Sequence, residues 1–339
     1  MKERLDIDIK KAHAQLKKDS RIKECFHFDK KACSKDIISA HSLQKNRVLN
    51  LIEDEVNGNS SIYSFLYQKR SEDGIINGFE SLGKNFASTF FGFCSYHDNE
   101  VFKPIENNIV DIDNDEHCFL LSYRAFAKDF HAKYESIQGY KTNEGFQQFP
   151  NKDIIDELIE GSEIGLRDSL IVKNRLNEVL KTKSFDELEF LTYELDYLIP
   201  IALAASMTPD LSYKNEILNK SINPEIIYEF VNFVIQPLET GKTIILLSCL
   251  PEQKKSIKFI DQLDDLKQLP FLKAISSLAI SHVENTFFSP TIWNQMNKAE
   301  QARLLYELEV TIPPYRSQSN KFFHSQINLF DERFKKNIT

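Results

Sequence analysis

The chain has 339 residues, of which 42% are hydrophobic and 27% charged, values typical of a globular protein with one or two buried cores. Glycine is scarce (10) and phenylalanine abundant (26), which disfavours architectures built on glycine-rich loops and favours aromatic packing. The sequence has no apolar run of 18 residues and no signal-peptide pattern, so we predict a soluble cytoplasmic protein without a membrane partner. Thiols stay reduced in that compartment, and the five cysteines therefore indicate metal binding or simple burial before disulfides.

The charge of the chain is unevenly distributed. The formal net charge of −8 argues against a nucleic-acid partner, but residues 1–48 hold 13 Lys and Arg against 7 Asp and Glu, and the remainder holds 29 against 43. The basic region ends with Lys35, Lys45 and Arg47, which we predict to contact a phosphate backbone. The alternative interpretation is a set of lysine-rich helix surfaces that are only solvated.

The first hundred residues are predicted to mix helices and strands. Apolar residues at helical spacing predict a short amphipathic helix within residues 8–24 and another over residues 43–53. A β-rich strand is predicted over residues 61–67. The polar stretch that follows, residues 68–78, is typical of an exposed loop.

Residues 115–137 give the strongest helix prediction in the chain. Its apolar face consists of Phe119, Leu120, Tyr123, Phe126, Ala127 and Phe130. His117, Arg124 and His131 recur every seven residues and therefore share one face of the helix. We interpret these three residues as a solvated polar stripe, with contacts to phosphate as the alternative. Cys118 lies on the apolar helix and is assigned to core packing.

The C-terminal half differs from the N-terminal half in its predicted secondary structure. A polar stretch, residues 138–152, predicts a boundary between two domains, 1–137 and 138–339. The second domain is predicted to contain two helices within residues 153–197, an antiparallel hairpin of strands 227–237 and 242–250, and helices at about 260–282 and 298–309. Asn297 and Glu300 have the spacing of a capping box. The predicted fold class is helix-rich α+β, and the second domain is expected to regulate, to bind a protein partner or to form a homo-oligomer.

Four side chains make a complete ligand set for a tetrahedral metal ion. Cys94 and His97 have the C-x-x-H spacing at which two ligands converge on one ion, and Cys25 and Cys33 supply two thiols upstream. We predict a structural Zn²⁺ site, because the polar loop between the first two cysteines is a poor place to bury a thiol. The alternative is three buried free thiols and a half-exposed imidazole. Cys249 ends an apolar run, and we predict that it is buried in the core.

These residues carry a resemblance to a known family. The order Cys, Cys, Ala-His, then Cys-x-x-His-Asp resembles the HNH endonucleases, the ββα-metal nucleases built on a treble-clef zinc site. The phrases A-H-S and F-G-F-C-x-x-H-D are also similar to those of a group of uncharacterised bacterial proteins. The resemblance covers roughly residues 24–106. It implies an N-terminal treble-clef module held by Zn²⁺, a bacterial cytoplasmic protein and a DNA or RNA partner.

The resemblance also implies roles for three further residues. His41 would be the general base at the end of the first strand, Asp98 would bind a catalytic Mg²⁺ or Mn²⁺, and Asn85 matches the central Asn of the motif. The function so implied is metal-dependent hydrolysis of nucleic-acid phosphodiesters, as an effector in bacterial anti-phage defence.

A structural interpretation stays open for the catalytic candidates. His41 is also compatible with a core turn in which backbone groups satisfy its ring, and Asp98 with the N-cap of a short helix that Pro104 limits. The competing function is a zinc-stabilised module that binds nucleic acid or a protein without catalysis.

Overall fold

The computed structural model describes residues 15, 18–71, 74–143, 152–220, 223–311 and 320–337. Its strands are β1 (Ile37–His41), β2 (Asp54–Val56), β3 (Asn59–Ser71), β4 (Gly74–Leu82), β5 (Thr89–Cys94), β6 (Glu189–Leu195), β7 (Ile201–Met207), β8 (Val231–Pro237), β9 (Thr243–Cys249) and β10 (Thr286–Phe288). Its longer helices are α1 (Ser95–Asn107), α2 (Asp115–Thr142), α3 (Lys152–Thr182), α4 (Lys254–Asp264), α5 (Gln268–Ser281), α6 (Pro290–Gln295) and α7 (Lys298–Val310). The predicted α+β class is confirmed.

Single helical turns complete the described elements. A π-helical turn, Lys45–Leu49, continues into the helical turn Asn50–Ile52, where the sequence predicts a helix. Two 3₁₀ turns follow later, at Phe185–Glu187 and Glu332–Phe334. The predicted helix within residues 8–24 lies largely outside the described residues.

The strands form two antiparallel sheets. β1 and β5 pair with each other, and eight further strands form one sheet in the order β2-β3-β10-β7-β8-β9-β6, with β4 paired to β3. The predicted C-terminal hairpin is confirmed as β8 and β9, and both strands are buried along their whole length. β10 pairs with β3 on one side and with β7 on the other, so the large sheet combines strands from both sides of the predicted boundary at residue 137.

Helix α2 lies between the β1–β5 pair and the large sheet. The helix is buried around most of its circumference, and it extends to Thr142, past the predicted boundary. Phe119, Tyr123 and Phe126 belong to a core that also contains Ala202 and Ala204 from one face of β7. The other face of the large sheet forms a second core with α4 and α5. Cys118 and Cys249 are buried in these two cores, as predicted.

The predicted solvated stripe on this helix is wrong. His117, Arg124 and His131 are all buried. The reason is that α2 has protein on both sides, so its polar face meets other polar groups instead of water. His117 Nδ1 accepts the backbone N–H of Asp111 at 3.1 Å, and His131 Nε2 donates to the carbonyl of Ile22 at 2.8 Å.

Two predicted elements differ in type. Most of the predicted loop over residues 68–78 belongs to the paired strands β3 and β4, whose register continues to Ser71 opposite Gly74. The second helix predicted within residues 153–197 is strand β6, which pairs along its whole length with β9. In both cases backbone hydrogen bonds to a neighbouring strand outweigh a weak local pattern, since short segments do not reveal their pairing partner.

Two helix ends also differ from expectation. Pro104 lies inside α1 instead of limiting it, and Asp98 lies in the first turn while Cys94 occupies the N-cap position. The helix predicted at about 260–282 is divided into α4 and α5.

The capping box at Asn297 and Glu300 is present as predicted, with both reciprocal hydrogen bonds formed. Among the described residues, no helix is long and apolar enough to cross a membrane.

Gly92 in β5 is required by a neighbouring side chain. A Cβ atom at this position would lie 2.3 Å from Cε2 of Phe90, and the Phe90 ring is buried against Phe93 and His131. The ring has little room to withdraw, because protein cores are close-packed. Gly92 therefore leaves space for the buried Phe90 ring, and its carbonyl accepts the N–H of Phe26, next to Cys25, at 2.6 Å.

Replacing Gly92 by Ala is expected to lower the free energy of unfolding by about 1–3 kcal/mol, because the added methyl overpacks the core. Gly161→Ala is the matched control: Gly161 lies in α3 with no atom within 4 Å of the added Cβ, so this change should raise stability by about 0.5–1 kcal/mol. Urea denaturation of both variants measures the two effects. Equal stability of Gly92→Ala and the unmodified chain would contradict the steric argument.

Candidate metal centre

The first two cysteines lie on a loop that is attached to β5 by backbone and ring contacts. The N–H groups of Glu24 and Phe26 donate to the carbonyls of Phe91 and Gly92. The ring of Phe26 packs edge-on against aromatic rings of β5 and α2, namely Phe93, Tyr123 and Phe130. Cys25 is thereby fixed between a hydrogen-bonded backbone and a buried ring, and its side chain is 3% exposed.

The second pair of ligands lies where β5 passes into α1. Ile37 of β1 pairs with Cys94, the last residue of β5, and the N–H of Ser95 donates to the carbonyl of Asp36. Cys94 Sγ caps the helix by accepting the backbone N–H of His97 at 3.5 Å. This strand-to-helix turn orients both side chains toward the loop that contains Cys25 and Cys33.

The structure brings the four predicted ligands together. Their sulfur and nitrogen atoms all lie within 4.8 Å of one another. His97 Nδ1 lies 3.4 Å from Cys25 Sγ, 3.5 Å from Cys33 Sγ and 3.3 Å from Cys94 Sγ. Around a tetrahedral Zn²⁺ with ordinary bond lengths, a sulfur and a nitrogen ligand lie about 3.5 Å apart. The four atoms are therefore spaced as ligands of one tetrahedral ion, even though Cys25 and His97 are far apart in sequence.

Crowding of the three thiols alters their pKa values. Burial raises the pKa of Cys25, and burial together with the neighbouring Cys25 and Cys94 sulfurs raises the pKa of Cys33 to about 12. Burial also acts to raise the pKa of Cys94, but hydrogen bonds from His97 N–H and Ser34 outweigh it and hold this pKa below its ordinary value. The cluster by itself thus lowers the pKa of only one of the three thiols, and a cation at its centre would favour the thiolate form of all three.

A stack of rings covers the imidazole ligand. The ring of His27 lies parallel to that of His97 at a centroid distance of 3.8 Å, and Phe28 stacks on the outer side of His27 at 4.2 Å. His27 Nδ1 accepts the N–H of Asp29 at 3.1 Å, which fixes its ring. Burial and the neighbouring His97 lower the pKa of His27 to about 4. His97 is thus only 3% exposed, where a half-exposed ring was the alternative expectation.

His41 lies at the last position of β1, half-buried. Its Nδ1 donates to the carbonyl of Ala87 at 3.0 Å, since a carbonyl oxygen can only accept. The remaining proton-free nitrogen of the neutral ring is Nε2. Burial lowers the pKa of His41, and the charges of Lys45 and Arg124 act in the same direction. The ring is consequently neutral at pH 7 with Nε2 as an acceptor, which meets the requirement for a general base and also the open structural interpretation.

Asp98 follows the last ligand and lies in an unusual environment. Its Oδ1 is buried and has no hydrogen-bond partner among the described residues. Burial raises the pKa of Asp98, while the nearby guanidinium of Arg124 lowers it and Glu106 raises it. Arg124 and Glu106 form an ion pair at 2.6 Å, and the guanidinium also lies 3.8 Å from the ring centre of Phe102. Arg124 and Glu106 act on the pKa of His41 as well, so both catalytic candidates lie near the same ion pair.

The remaining predicted site residues differ in how exposed they are and in whether they already form an ion pair. Asn85 is exposed in the turn before β5, two residues from the carbonyl that binds His41. Lys35 is exposed next to the metal-binding loop, and Lys45 is half-buried. Arg47 is already engaged: it pairs with Glu239 at 2.7 Å and donates to backbone carbonyls at the end of α1. A structural role therefore accounts for Arg47, which was predicted to contact phosphate.

Sequence reasoning missed His27, Glu106 and the function of Arg124. The position of His27 in the stack depends on how the loop closes, which its spacing does not reveal. Glu106 lies eight residues after Asp98 and therefore near the same side of α1. One feature of the sequence could have predicted that Arg124 is buried. Its helix is apolar on more than one face, which indicates a helix packed on both sides.

Comparison with protein-family models, with curated proteins and with solved structures finds no match for this chain.

Stability should fall when the pH is lowered below 6.5. Burial lowers the pKa values of His27, His41, His97 and His131. The unfolded chain then binds protons that the folded chain does not, so stabilisation present above pH 6.5 is lost toward pH 4. His27 alone should account for roughly 2 kcal/mol of unfolding free energy between pH 7 and pH 5.

Urea denaturation at pH 7 and pH 5 tests this prediction. His27→Asn keeps an acceptor for Asp29 N–H and should remove the share of the pH dependence due to His27. The same loss of stability in His27→Asn as in the unmodified chain would refute the assignment.

Proposed function

We propose that the four-ligand cluster is a structural Zn²⁺ site within a treble-clef module. The proposal is supported by the ligand spacing, by the origin of two ligands from a loop and two from a strand-to-helix turn, and by the antiparallel pair β1 and β5 that precedes α1. Three sulfurs and one imidazole nitrogen are a set that Zn²⁺ prefers, and a closed set of four leaves no position for a substrate. The role of the ion is to hold the Cys25–Cys33 loop, β5 and α1 together.

The purified chain is expected to contain one zinc ion per molecule, measured by elemental analysis. Cys94→Ser should lose the ion and about 3 kcal/mol or more of stability, because metal-binding free energy is coupled to folding at such sites. Cys249→Ala is the control: this thiol is equally buried but lies in the other core, and the variant should keep its zinc. A zinc-free chain of unchanged stability would reduce the cluster to three buried thiols and an imidazole.

We further propose that the module is an HNH-like, metal-dependent nuclease. The observation that carries this proposal is Asp98 Oδ1, a buried carboxylate oxygen directly after His97 for which the described part of the chain offers no hydrogen-bond partner. A buried carboxylate oxygen costs free energy unless a proton, a donor or a cation satisfies it. Asp98 is therefore the residue that would hold Mg²⁺ or Mn²⁺. His41 is the base candidate on the neighbouring strand, with its ring orientation fixed by Ala87.

The proposed reaction is hydrolysis of a phosphodiester. His41 Nε2 accepts a proton from the attacking water as the water oxygen forms a bond to phosphorus, and the bond to the leaving oxygen breaks as that oxygen takes up a proton from solvent. The divalent ion, when bound, neutralises charge that develops on the phosphate. Lys35 and Lys45 are the proposed contacts to the phosphate backbone, and their contribution would weaken with salt.

His41→Ala should reduce nuclease activity about 10²–10⁴-fold in Mg²⁺ or Mn²⁺, because the proton acceptor is lost. Release of nucleotides from labelled DNA and RNA measures the rate, and zinc content should stay at one ion per chain. His324→Ala, at an exposed position, should retain full activity. Undiminished cleavage by a zinc-loaded His41→Ala variant would remove His41 from the mechanism.

A second candidate function is a zinc-stabilised binding module without catalysis. The specific observation in its favour is that the guanidinium of Arg124 already acts on Asp98 and is held in place by Glu106 and Phe102. A cation next to the carboxylate disfavours a second one. Salt-dependent binding of nucleic acid with no cleavage in Mg²⁺, Mn²⁺ or Co²⁺ would favour this candidate over the nuclease.

A further inference from the structure

The end of strand β1 belongs to a hydrogen-bond network that connects His41 with the C-terminal half of the chain. The last residue pair between β1 and β5 is His41 with Thr89, so the chain beyond His41 is held by other contacts. The N–H of Ser42 donates to the carbonyl of Ser88 at 2.9 Å, and both serines are buried. The position of the His41 ring therefore depends on these two serines.

Ser88 has a backbone conformation that residues other than glycine rarely adopt. Its φ of 59° lies in the left-handed region, where such a residue stays only if surrounding contacts hold it. Its hydroxyl donates to the carbonyl of Leu43 at 3.4 Å, which leaves the hydroxyl oxygen to accept from His41 Nδ1, also 3.4 Å away. The preceding residue, Ala87, provides the carbonyl to which His41 Nδ1 donates at 3.0 Å. Two oxygens from adjacent residues thus favour a proton on Nδ1.

The third part of the network comes from a distant part of the chain. Asn285, directly before β10, donates from Nδ2 to the carbonyl of Ala204 at 2.8 Å and to the hydroxyl of Ser42 at 3.2 Å. Because a carbonyl oxygen can only accept, the contact with Ala204 fixes which end of the amide faces Ser42. Ala204 lies in β7, which pairs with β10. Asn285 therefore ties the end of β1 to the large sheet across 243 positions of the sequence.

We propose that Asn285 is a positioning residue for His41: through Ser42 it holds the end of β1 so that the imidazole keeps its proton on Nδ1 and its lone pair on Nε2. The hydrogen bond at one ring nitrogen determines which nitrogen can act as the base. The inference rests on the proposed role of His41 as general base. It gives the C-terminal half a regulatory part in that site, because the large sheet sets the orientation and the tautomer of the ring.

NMR spectroscopy of the full-length, zinc-loaded chain containing nitrogen-labelled histidine tests the proposal without substrate or a second metal. At pH 8 the His41 ring should show a protonated Nδ1 and a proton-free Nε2, and the signals that vanish in His41→Ala assign the ring. Asn285→Ala should shift both nitrogen resonances toward the average of two tautomers, because Ser42 is no longer held. Ser42→Ala removes the acceptor and should give the same shift, and the double variant should show no further change.

Asn219→Ala is the matched control. Nδ2 of Asn219 also donates to two oxygens, the carbonyls of Pro209 and Glu229, both at 3.1 Å, and neither residue belongs to β1 or β5. This variant should keep the His41 signals of the unmodified chain, although it loses a comparable pair of hydrogen bonds. The proposal is overturned if Nε2 carries the proton in the unmodified chain, or if the two test variants leave the His41 signals as this control does.

Cleavage kinetics separate this inference from the proposed nuclease activity. In an active nuclease, Asn285→Ala should lower kcat about 10–100-fold and change KM less than about twofold, because the base is misplaced and no contact with substrate is removed. A chain that cleaves no nucleic acid but shows the shift in Asn285→Ala refutes the nuclease and leaves the positioning role. An active nuclease whose kcat and His41 signals are unchanged in Asn285→Ala refutes the positioning role alone.

Discussion

Three sulfurs and an imidazole nitrogen held within 4.8 Å are the constraint on which the N-terminal architecture depends. Burial, together with the neighbouring sulfurs, disfavours the charged form of two of these thiols, as the raised pKa values of Cys25 and Cys33 illustrate. Ordinary packing would not bring these groups so close, because buried cysteines act as small apolar side chains without any need to face one another. The arrangement is that of a possible metal site, at which the Cys25–Cys33 loop, β5 and α1 meet.

The candidate metal site is also joined to the rest of the molecule through α2. Phe26, next to the first ligand, contacts aromatic rings of this helix, and Arg124 on the same helix lies beside Asp98. On its other side the helix meets the large sheet, where Ser248 Oγ donates to Ser122 Oγ at 2.7 Å. Helix α2 therefore contacts both the candidate metal site and the large sheet.

The sequence predicted those features that local chemistry determines. The C-x-x-H pair, the apolar strands β8 and β9 and the long helix α2 follow from spacing and hydropathy alone. Features that depend on distant partners were not predictable in the same way. The edge strand β6 acquires its type from β9, and the burial of His117 and His131 follows from protein on both sides of α2. The environment of Asp98 Oδ1, which has no hydrogen-bond partner within the described ranges, likewise depends on distant groups that no local pattern encodes.

The shared sheet has a consequence for dividing the chain. Strand β10 fills the gap between β3 and β7, and Asn285 beside it donates to the Ser42 hydroxyl and to the carbonyl of Ala204. A fragment ending near residue 140 would expose the edge of β3 that pairs with β10. The complementary fragment would expose the corresponding edge of β10 and an apolar face of β7. Neither piece is a self-sufficient folding unit on these grounds. Co-expression of the two halves, which lets the missing strand pairs re-form, is the natural route to a split version of this protein.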